Sequence, residues 1–437
     1  MISLFVYPAY GKVLTEPKAA KQPNIILILA DDLGYGELGC YGNTFNQTPN
    51  LDKLAAGGMR FTQAYAAAPV CTPTRIALLT GQHPARVGIT DYLDVHDEKF
   101  LSPDYETLNE KLKKAGYVTG LVGKWHLTGD YEKRRGEPEK HGWDEVIASE
   151  RKYIANGDYF YPYFFLPDLA ARGPDEYLTD RLNLEAHDFI QRHKNKPFFL
   201  YLSHYAVHTK LGGKPAKVTK YQSQPGVGKN QNNPELAAML ESLDDGIGQL
   251  QTTLQANNLD QNTLIIFTSD NGGELNVTRN GSLRGGKSEL YEGGIRVPFL
   301  AYWPNRIKAN VISPVPVTTA DIYPTLLEVV GVKPTKGQIL DGSSIAALLA
   351  GKTQRPETTF YWHYPLPKPH FLGGRSASAI RQGDYKLIQF LDDHHPELYN
   401  LKNDPSEKQD LAATLPDKVT ALQKELQKWQ VRVGAKM

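Results

Sequence analysis

Ile25-Ile26-Leu27-Ile28-Leu29-Ala30, followed directly by Asp31-Asp32-Leu33-Gly34-Tyr35-Gly36, is the stretch from which the class of fold follows. Six apolar residues without alternation read as a strand buried on both faces, the pattern of a parallel sheet covered by helices on either side. Two adjacent carboxylates at its C-terminal end stand where open α/β sheets hold their ligands. Either one alone could cap the following turn. Both together beside an apolar strand repel each other, and a cation between them relieves that repulsion.

The same pattern recurs along the chain. Tyr117-Val118-Thr119-Gly120-Leu121-Val122, Lys196-Pro197-Phe198-Phe199-Leu200-Tyr201-Leu202 and Leu264-Ile265-Ile266-Phe267-Thr268 read as further buried strands. Between them lie helical patterns at Thr48 to Arg60, from Glu106 to a stop at Gly116, at Leu178 to His193 and at Pro234 to Asn257, the last with Leu236, Leu240, Leu243, Ile247 and Leu250 on one stripe. Alternation of this kind predicts an α/β fold, with a mostly parallel sheet sandwiched by helices. Thr209 to Asn233 is rich in Lys, Gly, Gln and Pro and reads as a loop, while Thr319 to Val330 and Ser343 to Leu349 read as two more helices. Near Gly351 the pattern changes to short strand-like runs, Thr359 to Trp362 and Tyr385 to Phe390, closed by a charged helix from about Pro416 to Val431. That predicts a small C-terminal antiparallel sheet with one helix. The expected division is a surface tail or signal-peptide remnant over 1–22, an α/β catalytic domain over 23–355 and an α+β subdomain over 356–437.

The 437 residues carry 49 Lys plus Arg against 48 Asp plus Glu, a net charge of +1. Near-neutrality argues against a nucleic-acid-wrapping surface, so affinity for an anion must come from a local cluster. The apolar run at Ile25 is far too short to span a bilayer, and no transmembrane segment is evident. Met1 to Tyr7 is apolar without basic residues and reads as a clipped signal peptide or a floppy start, which leans towards export. Two cysteines, Cys40 and Cys71, allow at most one disulfide. Asn46, Asn276 and Asn280 begin triplets of the glycosylation-acceptor type.

Chemistry gathers around Cys71-Thr72-Pro73-Thr74-Arg75. With Thr72 as N-cap and Pro73 at the first helical position, Cys71 stands just outside a helix N-terminus, where unpaired N–H groups and the dipole favour an anion. A buried cysteine at an ordinary helix start is the plain alternative for this string alone. Other strand ends add to it: Gly123-Lys124-Trp125-His126, Ser203-His204-Tyr205-Ala206-Val207-His208, and Ser269-Asp270-Asn271-Gly272-Gly273. Asp31, Asp32, Asp270 and Asn271 together form an oxygen ligand set that suits Ca²⁺ or Mg²⁺ and disfavours zinc. Asn280 to Gly294 holds five glycines and Lys287, as loops that approach a ligand closely do.

Cys71-Thr72-Pro73-Thr74-Arg75 followed by Leu79-Thr80-Gly81 resembles the signature of the type I, arylsulfatase-like sulfatases of the alkaline phosphatase superfamily, whose cysteine is oxidised to formylglycine. The resemblance runs from about Pro23 to the C-terminal helix and includes the other strand-end motifs in order. It implies formylglycine at Cys71, with Asp31, Asp32, Asp270 and Asn271 joining it around Ca²⁺ and Asp270 helping to deprotonate the attacking hydroxyl. It further implies that Arg75 and Lys124 hold the hydrate and its charge, that His126 takes the second hydroxyl proton, and that His208 and Lys287 bind sulfate. His208 is then the acid for the leaving oxygen. His204 matches no such position and reads as structural, and Glu37 stands where the family often has Asp. The chemistry asks for this equipment: neutralised sulfate oxygens, a strong nucleophile and a proton for a poor leaving group.

What the resemblance implies about biology follows. The expected substrate is a sulfated carbohydrate, with galactose-type sulfates as the guess within that class. The expected partner is a formylglycine-generating or anaerobic sulfatase-maturing enzyme, and the expected location is periplasmic or secreted. The loop from His363 to Arg375, with His363 and Arg375 singled out, is expected to form a wall of the substrate pocket, though a Pro-rich surface loop is its plain alternative. Two other functions compete: a phosphonate or phosphodiester hydrolase on the same scaffold, and a non-catalytic sulfated-glycan binder in which Cys71 stays a thiol. Asn271 in place of the histidine of two-metal relatives counts against the first, and retention of every matched position against the second.

Overall fold

The computed structural model describes residues 22–129, 131–152, 158–356 and 358–436. The tail expected over residues 1–22 lies outside them, apart from Gln22. Nine strands form the larger sheet: β1 (Asn24–Ala30), β2 (Met59–Tyr65), β3 (Val118–Gly123), β4 (Glu145–Ile147), β5 (Phe198–Ser203), β6 (Thr263–Ser269), β7 (Arg296–Tyr302), β8 (Val311–Ser313) and β9 (Val317–Thr318). Their order is β4-β3-β5-β1-β6-β7-β2-β8, with β9 continuing beside β2. Only β7 runs against the others, pairing antiparallel with both β6 and β2. Strand β1 sits between β5 and β6, parallel to both.

The unbroken apolar run of β1 has the expected cause. Ile26, Ile28 and Ala30 face one core, built with the Leu178–His193 and Pro234–Ala256 helices. Ile25, Leu27 and Leu29 face a second core, built with Ile76, Leu78 and Leu79 of the Cys71–Thr80 helix. With both faces covered, no position of β1 meets water, so alternation has no reason to arise.

Several boundaries move. The helix expected from Thr48 to Arg60 spans Pro49–Gly57, and Met59 already begins β2, because Gly57-Gly58 ends the helix and Met59 and Phe61 turn into the core. The helix expected from Glu106 starts at Leu108, with Thr107 at the cap and its N–H donating to the Glu110 carboxylate at 2.8 Å. The stretch 209–233, expected to be loop, contains a Pro215–Gln222 helix anchored by buried Val218 and Tyr221. Of Ser343 to Leu349 only Ala346–Leu349 is helical.

The C-terminal segment forms an antiparallel meander, β10 (Thr359–Tyr364), β11 (Ala377–Gln382), β12 (Tyr385–Phe390) and β13 (Pro396–Asn400). One face, with Ile380, Leu387 and Leu398, packs on Val419, Leu422, Leu426 and Trp429 of the Pro416–Val433 helix. The other, with Trp362, Ala379, Ile388 and Tyr399, packs on Tyr65, Val70, Leu290 and Ile295. Burial on both faces fastens this sheet against the end of β2 and the start of the Cys71 helix.

Candidate active site

Adjacent parallel strands β3, β5, β1 and β6 end at one edge of the sheet, and each delivers functional side chains there. Asp31 and Asp32 follow β1, Lys124 and His126 follow β3, Ser203 ends β5 with His208 beyond it, and Asp270 and Asn271 follow β6. Cys71 and Arg75 come from the helix that packs beneath, and Lys287 from the glycine-rich loop. Cys71 is itself the first residue of that helix, with Val70 at the cap position. The expected N-cap, Thr72, lies inside the first turn, and its hydroxyl donates to the His126 carbonyl at 2.9 Å and accepts from Leu93 N–H at 3.2 Å. It ties the helix start to two neighbouring loops instead of capping it.

Three carboxylates alternate with three cations. Arg75 donates to Asp270 Oδ2 through Nη2 at 2.7 Å and Nε at 3.0 Å, and its Nη2 lies 3.7 Å from Asp31 Oδ1. Lys124 Nζ is 2.6 Å from Asp31 Oδ2, and Lys287 Nζ is 2.7 Å from Asp32 Oδ2. Arg75 is held further by Ser203 Oγ at 2.6 Å and the Lys124 carbonyl at 3.2 Å, so a fully buried guanidinium has one available orientation. Burial, together with Asp270 and Asp32, pushes Asp31 up to about 8 against the pull of Lys124 and Arg75. Lys287 and His208 outweigh burial at Asp32 and hold it well below the usual carboxylate range.

Oxygens of Asp31 and Asp270 and the sulfur of Cys71 lie within 4.8 Å of one another, a spacing that admits a metal ion. Asp31 Oδ1 and Asn271 Oδ1 are buried and accept no hydrogen bond. The Asn271 amide nitrogen donates to Asp32 Oδ1 at 2.8 Å, which leaves its own oxygen as the free end. Orphaned buried acceptors beside three carboxylates fit a hard, oxygen-seeking cation.

Cys71 is only 2% exposed, and burial pushes its thiol above the ordinary cysteine value. It is therefore not a poised thiolate. It is also not bridged to Cys40, since both cysteines are free. His126 Nδ1 lies 3.3 Å from Cys71 Sγ, and Nε2 lies 3.0 Å from the Leu93 carbonyl. A carbonyl only accepts, so Nε2 carries the proton and Nδ1 presents a lone pair to residue 71. Burial, with Lys124 beside it, keeps this ring neutral. His126 and Asp32 both adopt left-handed backbone, φ 52° and 58°, which non-glycine residues seldom do except where a site requires it.

His208 places Nε2 3.3 Å from Lys287 Nζ, while Nδ1 pairs with the Thr209 carbonyl. Burial and Lys287 lower its pKa to about 3. His204 is fully buried and reaches none of these groups through a hydrogen bond, in keeping with a structural reading. Glu37 is buried under three donors, Asn46 Nδ2, Thr278 Oγ1 and the Arg279 N–H, and ties together the loops that carry them. Asn46 and Asn280 are buried and hydrogen-bonded, which closes two of the three glycosylation triplets, while Asn276 is exposed.

The structure brings Asp31, Asp32, Cys71, Arg75, Lys124, His126, His208, Asp270, Asn271 and Lys287 together and leaves His363 and Arg375 elsewhere. His363 is buried in β10, with one ring nitrogen 2.8 Å from Ser378 Oγ and the other 2.8 Å from the Lys436 carbonyl, facing the C-terminal helix. Arg375 is on the surface, paired with Asp392 at 2.6 Å and Asp393 at 2.8 Å. Within that same loop it is His370 that comes near the site, its ring edge-on to Tyr92 at 5.6 Å and within the electrostatic reach of Lys287 and Asp32. Sequence reasoning also missed Glu150, whose carboxylate accepts from the Trp125 N–H at 2.9 Å and from the His126 N–H and so holds the strained turn. Neither residue sits in a pattern that spacing could have singled out.

Comparison with known proteins gives the chain's family. Residues 23–332 match the sulfatase family model, and residues 286–433 match the model described as N-sulphoglucosamine sulphohydrolase, C-terminal. The chain is 33% identical to human steryl-sulfatase over 80% of this chain and 73% of that protein. It is 35% identical to dog N-acetylgalactosamine-6-sulfatase over 84% of this chain and 72% of that one. Among solved structures, that of Ps i-CgsB in complex with k-i-k-neocarrahexaose superposes with a TM-score of 0.82 at 32% identity, covering 94% of this chain and 93% of that one.

Proposed function

The chain belongs to the sulfatase family and is a sulfuric ester hydrolase, and from that premise we propose that it removes sulfate from a carbohydrate, with a formylglycine made from Cys71 and a bound Ca²⁺. The observation that carries this reading is the convergence of three buried cations and three carboxylates on a residue 71 that faces the lone pair of a neutral imidazole. The carbohydrate part is supported by likeness to an N-acetylgalactosamine-6-sulfatase and to a structure in complex with a neocarrahexaose. Galactose-type sulfates are the narrower guess.

Asp31, Asp32, Asp270 and Asn271 would hold Ca²⁺, which suits their oxygen donors, and no histidine competes among them. When present, the hydrated aldehyde supplies a hydroxyl nucleophile with a second hydroxyl for release, and the cation polarises sulfate oxygens. The protein's own part is electrostatic. Arg75, Lys124 and Lys287 are fixed, buried donors around the place where sulfate charge would develop. Asp270, with an oxygen within 4.8 Å of Cys71 Sγ, would take a proton from the attacking hydroxyl, and His126 Nδ1, 3.3 Å from Sγ, would take the second. His208 Nε2 points at Lys287 and so towards bound sulfate. An anion there would offset the Lys287 repulsion and raise the His208 pKa, which is what an acid for the leaving oxygen needs. The histidine-free oxygen set also favours this reading over phosphonate or phosphodiester hydrolysis.

Because Cys71 is buried once the chain folds, a maturing enzyme of the formylglycine-generating or anaerobic type must act before the site closes. Among the described residues no helix is long and apolar enough to cross a membrane, and a periplasmic or secreted location completes the proposal. The test is a peptide mass of the Cys71 fragment from active protein, beside sulfate release from a panel of sulfated sugars. A loss of ~18 Da at Cys71 with sugar-sulfate turnover supports the reading. Full activity with an unmodified thiol would overturn the formylglycine step.

A further inference from the structure

Strand β4 lies beside β3 and parallel to it, and β3 lies in the same way beside β5, so the chain leaves all three strands at one edge of the sheet. A single buried carboxylate joins the three exits. Glu150, 3% exposed, follows β4; Trp125 and His126 follow β3; Tyr205 follows β5. Glu150 Oε2 accepts from the Trp125 N–H at 2.9 Å and from the Tyr205 hydroxyl at 3.0 Å, while Oε1 accepts from the His126 N–H. Successive peptide N–H groups turned on one anion form a nest, and hydrogen bonds to a carboxylate are about twice as strong as those between neutral groups.

What this grip bears on is the direction of an imidazole. His126 has φ 52°, a conformation that a non-glycine residue keeps only where its surroundings over-determine it. Its carbonyl accepts from the Thr72 hydroxyl at 2.9 Å, and its ring Nε2 pairs with the Leu93 carbonyl at 3.0 Å. Thr72 and Leu93 are bonded to each other, the Leu93 N–H donating to Thr72 Oγ1 at 3.2 Å. Glu150 adds the hold at the N–H from a separate segment of chain. With carbonyl, ring and N–H all held, Nδ1 comes to lie 3.3 Å from Cys71 Sγ.

We propose that Glu150 is a positioning residue for proton transfer at residue 71: gripping the N–H groups of Trp125 and His126 and braced on Tyr205, it sets the angle from which His126 presents Nδ1. This inference rests on the role given to His126 above. Misplacing a reacting group by about 1 Å can cost about 10²-fold in rate, so a carboxylate bonded only to backbone and a phenol still weighs on turnover. Glu150→Gln keeps the shape of the side chain, but its amide end only donates. One of the two peptide N–H groups then loses its acceptor.

The experiment compares the mature wild type with Glu150→Gln, His126→Ala and the double variant, on a sulfate ester that the wild type turns over. Glu150→Gln should lower kcat about ten- to a hundredfold, with KM and inhibition by inorganic sulfate unchanged. In the His126→Ala background it should cost nothing further, because a residue that acts through His126 has nothing left to aim. Losses that add in the double variant would overturn the inference and make Glu150 a general support. A slow His126→Ala beside an unimpaired Glu150→Gln would overturn this inference alone, whereas His126→Ala with wild-type kcat would overturn the role of His126 as well. A second readout needs no turnover. In protein carrying nitrogen-labelled histidine and kept as the Cys71 thiol, the His126 ring, assigned by its loss in His126→Ala, should give one neutral Nε2–H tautomer in magnetic resonance spectra. Glu150→Gln should shift that signal, and an identical signal in both proteins would overturn the proposal. Amide exchange of the wild type covers the case in which the variant does not fold. The Trp125 and His126 N–H groups should exchange as slowly as the amides of β3, and fast exchange of either would show that Glu150 does not hold the turn.

Discussion

At the scale of single residues, the centre is a problem of charge compensation. Lys124 and Arg75 are fully buried beside Asp31 and Asp270, and a buried ion pair stripped of one partner leaves an uncompensated charge. Lys124→Met should lower kcat for sulfate release by about 10²–10³-fold, the usual loss for one preorganised charge-stabilising donor. Activity within tenfold of wild type would rule out a transition-state role for Lys124. The two orphaned acceptors give a second prediction with a readout independent of turnover. Adding Ca²⁺ to chelator-treated protein should raise the thermal midpoint by mass action. In Asn271→Ala, which removes one of the unpartnered oxygens, the Ca²⁺ concentration for half the shift should rise about tenfold or more, a rough figure for a lost ligand. Equal titration curves for the two proteins would remove Asn271 from the ligand set.

At the scale of elements, much of the site was legible because strand ends carry it. Apolar runs at Ile25, Val118, Phe198 and Leu264 announce buried parallel strands, and in an α/β sheet whatever follows such a strand lies at the ligand edge. Lys124, His126, Asp270 and Asn271 were therefore found by reading what comes next. His370 and Glu150 were not, since each arrives from a loop whose path depends on packing far along the chain. His363 and Arg375 erred for the same reason: residue type suggested a pocket wall, but a period of two turns His363 towards the helix side of its sheet, and Arg375 meets two aspartates. Loop residues carry no period from which a direction can be read. Helix packing offers a sharper case. Gly246, mid-helix in Pro234–Ala256, would by propensity be improved by alanine, yet a Cβ there would come within 2.0 Å of Asn183 Oδ1 on the facing helix. Asn183 Nδ2 donates to the Ser242 carbonyl at 3.1 Å, so it is not free to swing aside. Gly246→Ala should therefore destabilise by about 1–3 kcal/mol in denaturant unfolding, and Asn183→Ala in the same chain should recover part of that loss. A stabilised single variant would show that the helices separate without cost.

At the scale of the whole molecule, the question is what holds the small sheet in place so that its β10–β11 loop stays at the site. Apolar contact supplies most of it, with Tyr65, Val70, Leu290 and Ile295 packed on β10 to β13. Within that interface sits a fully buried triad: Lys386 Nζ is 3.1 Å from Glu292 Oε1 and 2.9 Å from Glu407 Oε1. Glu292 lies in the short helix Glu292–Ile295 that immediately precedes β7 of the larger sheet, Lys386 lies in β12 of the smaller one, and Glu407 follows β13. Two carboxylates share one ammonium, and they do not share it equally. Burial works against Glu292, but Lys386 and Arg296 hold it below the usual range, whereas burial and the neighbouring Glu292 push Glu407 up to about 7. Glu407 thus keeps its proton in the folded protein at pH values where the unfolded chain has lost it. The folded state binds the extra proton between about 4.5 and about 7, so ∂ΔG/∂pH of unfolding is negative across that window and stability falls as pH rises through it. Glu407→Gln cannot ionise and keeps the neutral, hydrogen-bonding shape. Its thermal midpoint should therefore change less than that of the wild type between pH 5 and pH 8, with the wild type falling progressively relative to the variant as pH rises. A difference of a few degrees is the scale expected for a chain of this size. Parallel curves would mean that Glu407 is ionised throughout, with Lys386 shared between two buried charges and Arg296 helping to balance Glu292.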